Sequence, residues 1–499
     1  MRWEIDWIEN RARLSPNKKA IIDEDTNKSW TYKQLNNRSS SMAGWLKKQG
    51  VKKGDRVALL SPNDISYFDL LFACGKIGAI FVPLNWRLSE HELNEILLDC
   101  TPSLIAIHQR FENRVPSLLK TAPKALVVGG SSYHEIVSDI FDCRQIEAIS
   151  EKDPLAMIYT GGTTGKPKGV VLSHQSIQWN GINTILSWNL SQEDVTINYM
   201  PMFHTGGLNA LSVPILMIGG TVVIGDQFTG QKAVHSINQY KCTIILLVPT
   251  MYHLLIQSDE FQRSEFPSMK IFLSGAAPCP LHVYEAFQKK GLAFKEGYGL
   301  TEAGPNNFFI HPEDAQLKRG SVGKPMMFNT IKLEKADGEE AKVNEVGEIL
   351  INGRHTFSHY WNNELATMET KKEGWVHTGD LAKKDEEGFH YIVGRKKDMI
   401  ITGGENVYPL EIEHWLAAHP AVDEAAVIGL PDDKWGELVV AFIVQKYPHP
   451  IDEVELKSYC EEKLGSYKIP KRFITLKELP KTHVGKIDKK KLKEFSNKT

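Results

Sequence analysis

The sequence predicts an α/β protein: a large N-terminal domain of sheets sandwiched by helices, then a small, mobile α+β C-terminal domain. Two patterns and the length predict this. Short apolar runs bounded by turn residues (55–60, 104–107, 125–128, 221–224 and 243–248) interleave with helical stretches, as buried strands between helices do. Past residue 340 the pattern changes to strands separated by turn signals such as Asp385-Glu386-Glu387-Gly388. The 499 residues, at about 150 per domain, allow roughly three domains or subdomains.

Taken in order, 55–60 reads as a buried strand, and 65–84 as a helix followed by a short strand. Ser89-Glu90-His91-Glu92 matches a capping box, after which Leu93, Ile96 and Leu97 fall on one helical face. Residues 348–351 and 389–393 read as strands, 410–418 as a helix, 425–430 and 439–444 as strands, and 453–464 as a helix. The charged segment Gly394-Arg395-Lys396-Lys397-Asp398 interrupts these patterns, so the domains are placed at 1–394 and 395–499.

Composition narrows the class. Apolar residues are 42% and charged residues 24% of the chain, which excludes disordered and fibrous proteins. With 59 basic and 61 acidic residues the net charge is −2, without the basic excess of a nucleic-acid binder. The six cysteines show no C-x-x-C spacing, arguing against disulfides or structural zinc and for a reducing, cytoplasmic setting. The N-terminal Met-Arg-Trp-Glu-Ile-Asp carries charge where a signal peptide needs an apolar core. The longest apolar run, near 210–218, stops at Gly219-Gly220, short of the ~20 residues of a membrane span. Peripheral membrane contact is left open, and so is the oligomeric state.

The most informative window is Tyr159-Thr160-Gly161-Gly162-Thr163-Thr164-Gly165-Lys166-Pro167-Lys168-Gly169. Glycines let backbone N–H groups turn toward an anion, threonines add hydroxyl donors and lysines add charge. Together they describe a triphosphate cradle. A Walker loop fails: Pro167 follows Lys166, and Gly161 to Gly165 is one residue short. The plain alternative is a flexible surface hairpin.

At this string the sequence resembles the adenylate-forming superfamily: acyl-CoA synthetases, nonribosomal-peptide adenylation domains and firefly-type luciferases. The likeness continues in order. Pro201-Met202-Phe203-His204 resembles a gate segment, Ser274-Gly275-Ala276-Ala277-Pro278 an adenine loop, and Gly297-Tyr298-Gly299-Leu300-Thr301-Glu302 the family hexapeptide. Trp375-Val376-His377-Thr378-Gly379-Asp380 resembles the ribose segment. The charged segment at Arg395 resembles the hinge, with Lys397 as its pivot, and Gly403-Gly404-Glu405-Asn406-Val407-Tyr408-Pro409 follows it. Pro480-Lys481-Thr482-His483-Val484-Gly485-Lys486 resembles the catalytic-lysine segment.

The resemblance implies ATP, Mg²⁺ and coenzyme A as partners of a carboxylic acid. It implies a triphosphate site at Thr160, Gly161, Gly162, Thr163, Thr164, Gly165, Lys166 and Lys168. Gly275, Ala276, Ala277, Gly297, Tyr298, Gly299, Leu300 and Thr301 would surround adenine. Asp380 and Arg395 would hold ribose, Thr164 and Glu302 would place magnesium, and Lys486 would meet the carboxylate and α-phosphate. His204 would gate an acyl pocket of Gly206, Gly207, Val248, Met251, Gly297 and Gly304. Gly403, Gly404, Glu405 and Trp435 would line a coenzyme A tunnel. For Asp380 taken alone an Asx turn is the simpler reading. For Lys489, Lys490, Lys491 and Lys493 a solvated helix face is accepted.

Two departures matter. Gly161 stands where the family loop has serine, so one hydroxyl donor is lost. His204 stands where amino-acid-activating members carry aspartate, which argues against a buried ammonium substrate. No carrier domain is expected after residue 499, and Val427-Ile428-Gly429-Leu430-Pro431-Asp432 with Trp435-Gly436-Glu437 resembles the CoA-ligase branch. The expected function is an ATP-dependent acid:CoA ligase working through an acyl-adenylate. The small, apolar pocket residues favour a medium- or long-chain fatty acid. The alternatives are an aryl acid of hydroxycinnamate or o-succinylbenzoate type, a non-catalytic nucleotide-binding scaffold, and, more distantly, a luciferase-like oxidoreductase.

Overall fold

The computed structural model describes residues 5–118, 121–122, 124–138, 148–161, 167–446, 452–482 and 486–496. One seven-stranded sheet runs His359–Tyr360, Pro167–Ser173, Pro154–Gly161, Ile80–Leu84, Arg56–Leu60, Leu104–His108 and Ala125–Val128. Its centre is parallel, and its strands read as continuous apolar runs because both faces are covered. At one side the pairing turns antiparallel, where Pro154–Gly161 and Pro167–Ser173 form a hairpin. The capping box is present: Ser89 and Glu92 satisfy each other's backbone N–H, and Leu93, Ile96 and Leu97 are buried.

A second layer pairs Ser29–Thr31, Lys19–Asp23, Thr221–Ile224 and Val195–Asn198. The parallel strands Ile244–Leu247, Ile271–Ser274 and Phe294–Glu296 form a separate sheet. Most of the apolar run at 210–218 forms the helix Ser212–Ile218, preceded by the short helix Thr205–Asn209. A largely antiparallel sheet follows, in the order Phe308–Phe309, Ser321–Pro325, His390–Arg395, Trp375–Lys384, Gly347–Asn352 and Thr330–Glu334.

The chain leaves that sheet at Arg395, makes a single 3₁₀ turn over Lys396–Asp398, and enters the smaller sheet at Ile400. That sheet pairs Glu405–Val407, Ile400–Thr402, Gly436–Gln445 and Val422–Asp432, with Arg472–Leu476 added parallel. Strand alternation explains its two cores. Ala425, Val427, Val439, Ala441 and Ile443 pack on helices Pro409–Ala417 and Glu453–Glu461. Ala426, Ile428, Val440, Phe442 and Val444 face the other way, onto Leu479 and Leu492.

The lysine-rich end needs a correction. Lys489 opens the helix Lys489–Ser496, but its Nζ lies 2.7 Å from buried Glu413 and 3.1 Å from the Val427 carbonyl. It fastens the helix to the sheet, so only the following lysines read as a solvated face. Lys490, Lys491 and Lys493 are exposed. The five described cysteines are free and buried. No described helix is long and apolar enough to cross a membrane.

One buried cation stands apart. Lys295 is 2% exposed, with Nζ 4.2 Å from the Trp188 ring centre and 4.5 Å from that of Phe309. Burial pushes its pKa down to about 7, while the two rings oppose that by favouring the ammonium. Lysine in the unfolded chain titrates near 10.4. Between these values the unfolded state binds more protons, so this group's contribution to stability rises with pH. Lys295→Met should therefore stabilise the fold most at pH 6–7, by on the order of a few kcal/mol, read as a raised melting temperature, with the gain shrinking toward pH 10. A pH-independent difference in thermal melts would contradict this.

Candidate active site

The nucleotide side is built where strand ends meet. Asp380 and Arg395 are directly opposite partners on the antiparallel strands Trp375–Lys384 and His390–Arg395. Arg395 Nε lies 2.5 Å from Asp380 Oδ1, and the Tyr298 hydroxyl donates to Oδ2 at 2.6 Å. Asp380 is 6% exposed, and burial pushes its pKa up against the opposing pull of Arg395 and Tyr298. The Thr378 hydroxyl accepts the Asp380 N–H at 3.1 Å, so the turn here is made by the threonine side chain, while the Asp380 carboxylate is bonded to Arg395 and Tyr298 in place of the expected Asx turn.

Lys486 reaches this cluster from the small domain. Its charge acts on Asp380, Arg395 and His204. The residue keeps contact with solvent, yet protein crowds the ammonium. That crowding, with Arg395, holds its pKa below the ordinary lysine value, opposed by Asp380. Its loop closes on itself: Thr482 N–H donates to Lys486 O at 2.7 Å, and Asp488 N–H to Pro480 O at 2.8 Å.

On the phosphate side, Gly162, Thr163, Thr164, Gly165 and Lys166 lie outside the described residues. Their frame is clear. Thr160 and Gly161 end one hairpin strand, and Lys168 pairs with Thr160 from the other. Strand His359–Tyr360 pairs with Val170 and Val171 and brings the Tyr360 ring 4.9 Å from Lys168 Nζ. The Tyr360 hydroxyl donates to Glu302 Oε1 at 2.7 Å. Glu302 thus stands beside the phosphate hairpin, and no described side chain is bonded to its other oxygen. A carboxylate with an open oxygen fits magnesium, which takes one or two carboxylates and keeps waters. Sequence reasoning missed Tyr360; its strand is two residues long and acquires a role only by pairing with a segment far away in the chain.

The adenine loop leaves strand Ile271–Ser274. Gly275 N–H donates to Leu247 O at 3.2 Å, Ala276 takes φ +70°, and Ala276 and Ala277 are exposed. In the hexapeptide only glycine fits at 299, because a Cβ there would lie 2.1 Å from Pro305 O. Leu300 packs on the main core, and Thr301 opens the 3₁₀ turn Thr301–Ala303 that carries Glu302.

The acyl-pocket expectations divide. Gly206 faces open space. Gly207 does not line a pocket: a Cβ there would lie 2.2 Å from the Pro201 carbonyl oxygen, so it is a packing glycine. Gly304 is a turn residue, φ +73°, with Asn180 and His355 against it, and Gly297 meets Leu273 at 3.3 Å. Val248 caps the helix Pro249–Gln257, and Met251 packs partly on the second core. His204 is half-buried, with its ring 4.4 Å from that of Phe203 and Nε2 unpartnered. Burial, then the charges of Arg87 and Lys486, bring its pKa down to about 4, so it is neutral at pH 7 and suits gating better than base chemistry. Arg87, also missed from sequence, stands 5.9 Å from the Phe203 ring.

The tunnel residues share one corner of the small domain. Gly403 N–H donates to Trp435 O at 2.8 Å, and a Cβ on Gly403 would meet the Trp435 ring at 3.1 Å. Gly404 takes φ +86°, and Glu405 is exposed. Lys397 is exposed in the linking 3₁₀ turn.

Comparison with known proteins decides the family. Residues 8–361 match the AMP-binding enzyme family, and residues 411–486 match the AMP-binding enzyme C-terminal domain. The chain is an AMP-binding enzyme. It is 35% identical to an indoleacetate–CoA ligase of Aromatoleum aromaticum, over 98% of this chain and 97% of that protein. It is 34% identical to a long-chain-fatty-acid–CoA ligase of Mycobacterium tuberculosis, over 98% of each chain. The structure of o-succinylbenzoate CoA synthetase from Bacillus subtilis with its acyl-adenylate superimposes with a TM-score of 0.88, at 34% identity over 98% of each chain.

In this AMP-binding enzyme, removing the Asp380 charge should hit nucleotide binding. Asp380→Asn keeps the shape but weakens the Arg395 contact and the expected ribose contact, each a charged hydrogen bond of about 1.5–3 kcal/mol. We expect calorimetry to show AMP affinity at least tenfold lower. Unchanged affinity would remove Asp380 from the nucleotide site.

Proposed function

We propose that this enzyme is an ATP-dependent acid:CoA ligase. The carrying observation is that the charge of Lys486, from the small domain, acts on Asp380 and Arg395, which are joined to each other and to Tyr298. In the first half-reaction a carboxylate oxygen attacks the ATP α-phosphorus and pyrophosphate leaves. Charge grows on the phosphoryl oxygens there, and a preorganised ammonium is the group that stabilises it. Asp380 orients the ribose, and Glu302 would hold magnesium, which offsets phosphate charge. In the second half-reaction the coenzyme A sulfur attacks the acyl carbon and AMP leaves.

The two half-reactions need different groups at one acyl carbon. Gly403, Gly404 and Glu405 lie on the same domain as Lys486, so a rotation about Lys397 would exchange them. The 3₁₀ turn between two sheets supports that pivot.

For the acid, the aryl reading gains support. Gly207 and Gly304 are taken up by packing and turn geometry, which shortens the apolar lining expected for a fatty chain. Asn209, one turn along the helix from Gly206, has a buried Oδ1 without a donor, and so does Asn180 beside Gly304. Such acceptors are costly unless a ligand supplies a donor, as a hydroxylated or N–H-bearing aryl acid can. Pyrophosphate release with indole-3-acetate, ferulate, 2-succinylbenzoate, decanoate and palmitate tests this. An aryl acid should lead in kcat/KM; a tenfold lead for decanoate or palmitate would overturn the aryl reading in favour of a fatty acid.

Lys486→Ala should lower adenylation by roughly 10²–10³ or more, yet spare thioester formation from a supplied acyl-adenylate. Equal loss in both half-reactions would refute the assignment. Lys397→Pro, which fixes φ and removes an N–H, should do the reverse: keep pyrophosphate release and lose acyl-CoA. Parental acyl-CoA production by that variant would place the pivot elsewhere.

A further inference from the structure

A cavity of about 630 Å³ lies on the large domain between helix His174–Ser187, the start of strand Thr330–Glu334 and the end of strand Gly347–Asn352. Its volume is in the range of small-ligand sites. The lining combines two flat rings, Trp179 and Phe328, two cations, Arg354 and Lys371, and the side-chain amides of Gln175 and Asn352. No carboxylate lines it.

The rings and cations are already arranged. Trp179 and Phe328 stand edge to face, 5.4 Å apart, and the Arg354 guanidinium lies 4.9 Å from the Trp179 ring centre. Among the described residues neither Arg354, which is exposed, nor Lys371, which is half-buried, is paired with a carboxylate. Lys371 donates to Phe357 O at 2.5 Å and to the Thr356 hydroxyl at 3.3 Å, both neutral acceptors. Burial holds its pKa below the ordinary lysine value. An anion in the cavity would give both cations a partner of opposite charge.

The wall behind them is fixed. The Thr356 carbonyl accepts from Ser176 Oγ at 2.8 Å, and His355 Nε2 lies 3.0 Å from Asn307 Oδ1. A preformed wall binds without the ordering cost of a mobile one.

We propose that this cavity is a second ligand site, separate from the nucleotide cluster, for a flat aromatic ring bearing an anionic group. The ring is held by Trp179 and Phe328, and the anion by Arg354 and Lys371.

Calorimetric titration of the full-length enzyme with naphthalene-2-sulfonate tests this, run with saturating AMP so that the nucleotide site is filled. The expected result is one equivalent bound, with affinity lowered at least tenfold by Arg354→Glu and by Trp179→Ala, and unchanged by Lys486→Ala. The neutral naphthalene-2-sulfonamide should bind at least tenfold more weakly. Arg354 is exposed, so Arg354→Glu remains informative if Trp179→Ala melts early. No binding at millimolar probe, or binding indifferent to both cavity substitutions, would overturn the proposal.

Discussion

The ion pair between Asp380 and Arg395 is the constraint on which the rest of the site depends. A carboxylate this buried is tolerated only with partners, and its two oxygens are divided between Arg395 and Tyr298. Arg395 is the last residue of its strand, immediately before the link to the small domain. One interaction therefore ties three things: the hexapeptide carrying Tyr298, the strand presenting Asp380, and the point where the chain changes domain. Lys486 enters the same field, so the placement of the small domain and the electrostatics of the nucleotide site are one problem.

Charge organises the remaining chemistry. Lys168, Arg395, Lys486 and Arg87 come from four separate segments, and the first three gather around the hairpin and the Asp380 cluster. Glu302 is held among them by Tyr360. Polyphosphate needs cations and metal more than it needs covalent help, and these positions supply that pattern. His204 is kept neutral by burial and by neighbouring cations, which leaves it a shape rather than a charge.

The fold class and the motif positions were legible because the signals are local. The capping box at Ser89, the alternation in 425–430 and 439–444, and the hexapeptide can each be read within a few residues. What sequence could not show are contacts made by distant pairing. Tyr360 meets Glu302 and Lys168 because two short strands happen to be neighbours. Lys489 reads as one of a row of surface lysines until Glu413 is seen opposite it. The glycines at 206 and 207 are indistinguishable as letters, yet one faces space and the other a carbonyl.

The two-faced core of the small domain has a mechanical consequence. With apolar layers on both sides of its sheet and the last helix pinned by Lys489, the domain resists bending. Around Lys486 the chain is pinned by two backbone bonds, Thr482 N–H to Lys486 O and Asp488 N–H to Pro480 O. On the proposed pivot at Lys397 such a body acts as a stiff lever. A modest angle at the fulcrum becomes a large travel at the tip, and the tip arrives with its aim unchanged. Stiffness in the arm, rather than in the joint, would then let one domain deliver two different sets of groups to one carbon atom under the proposed rotation.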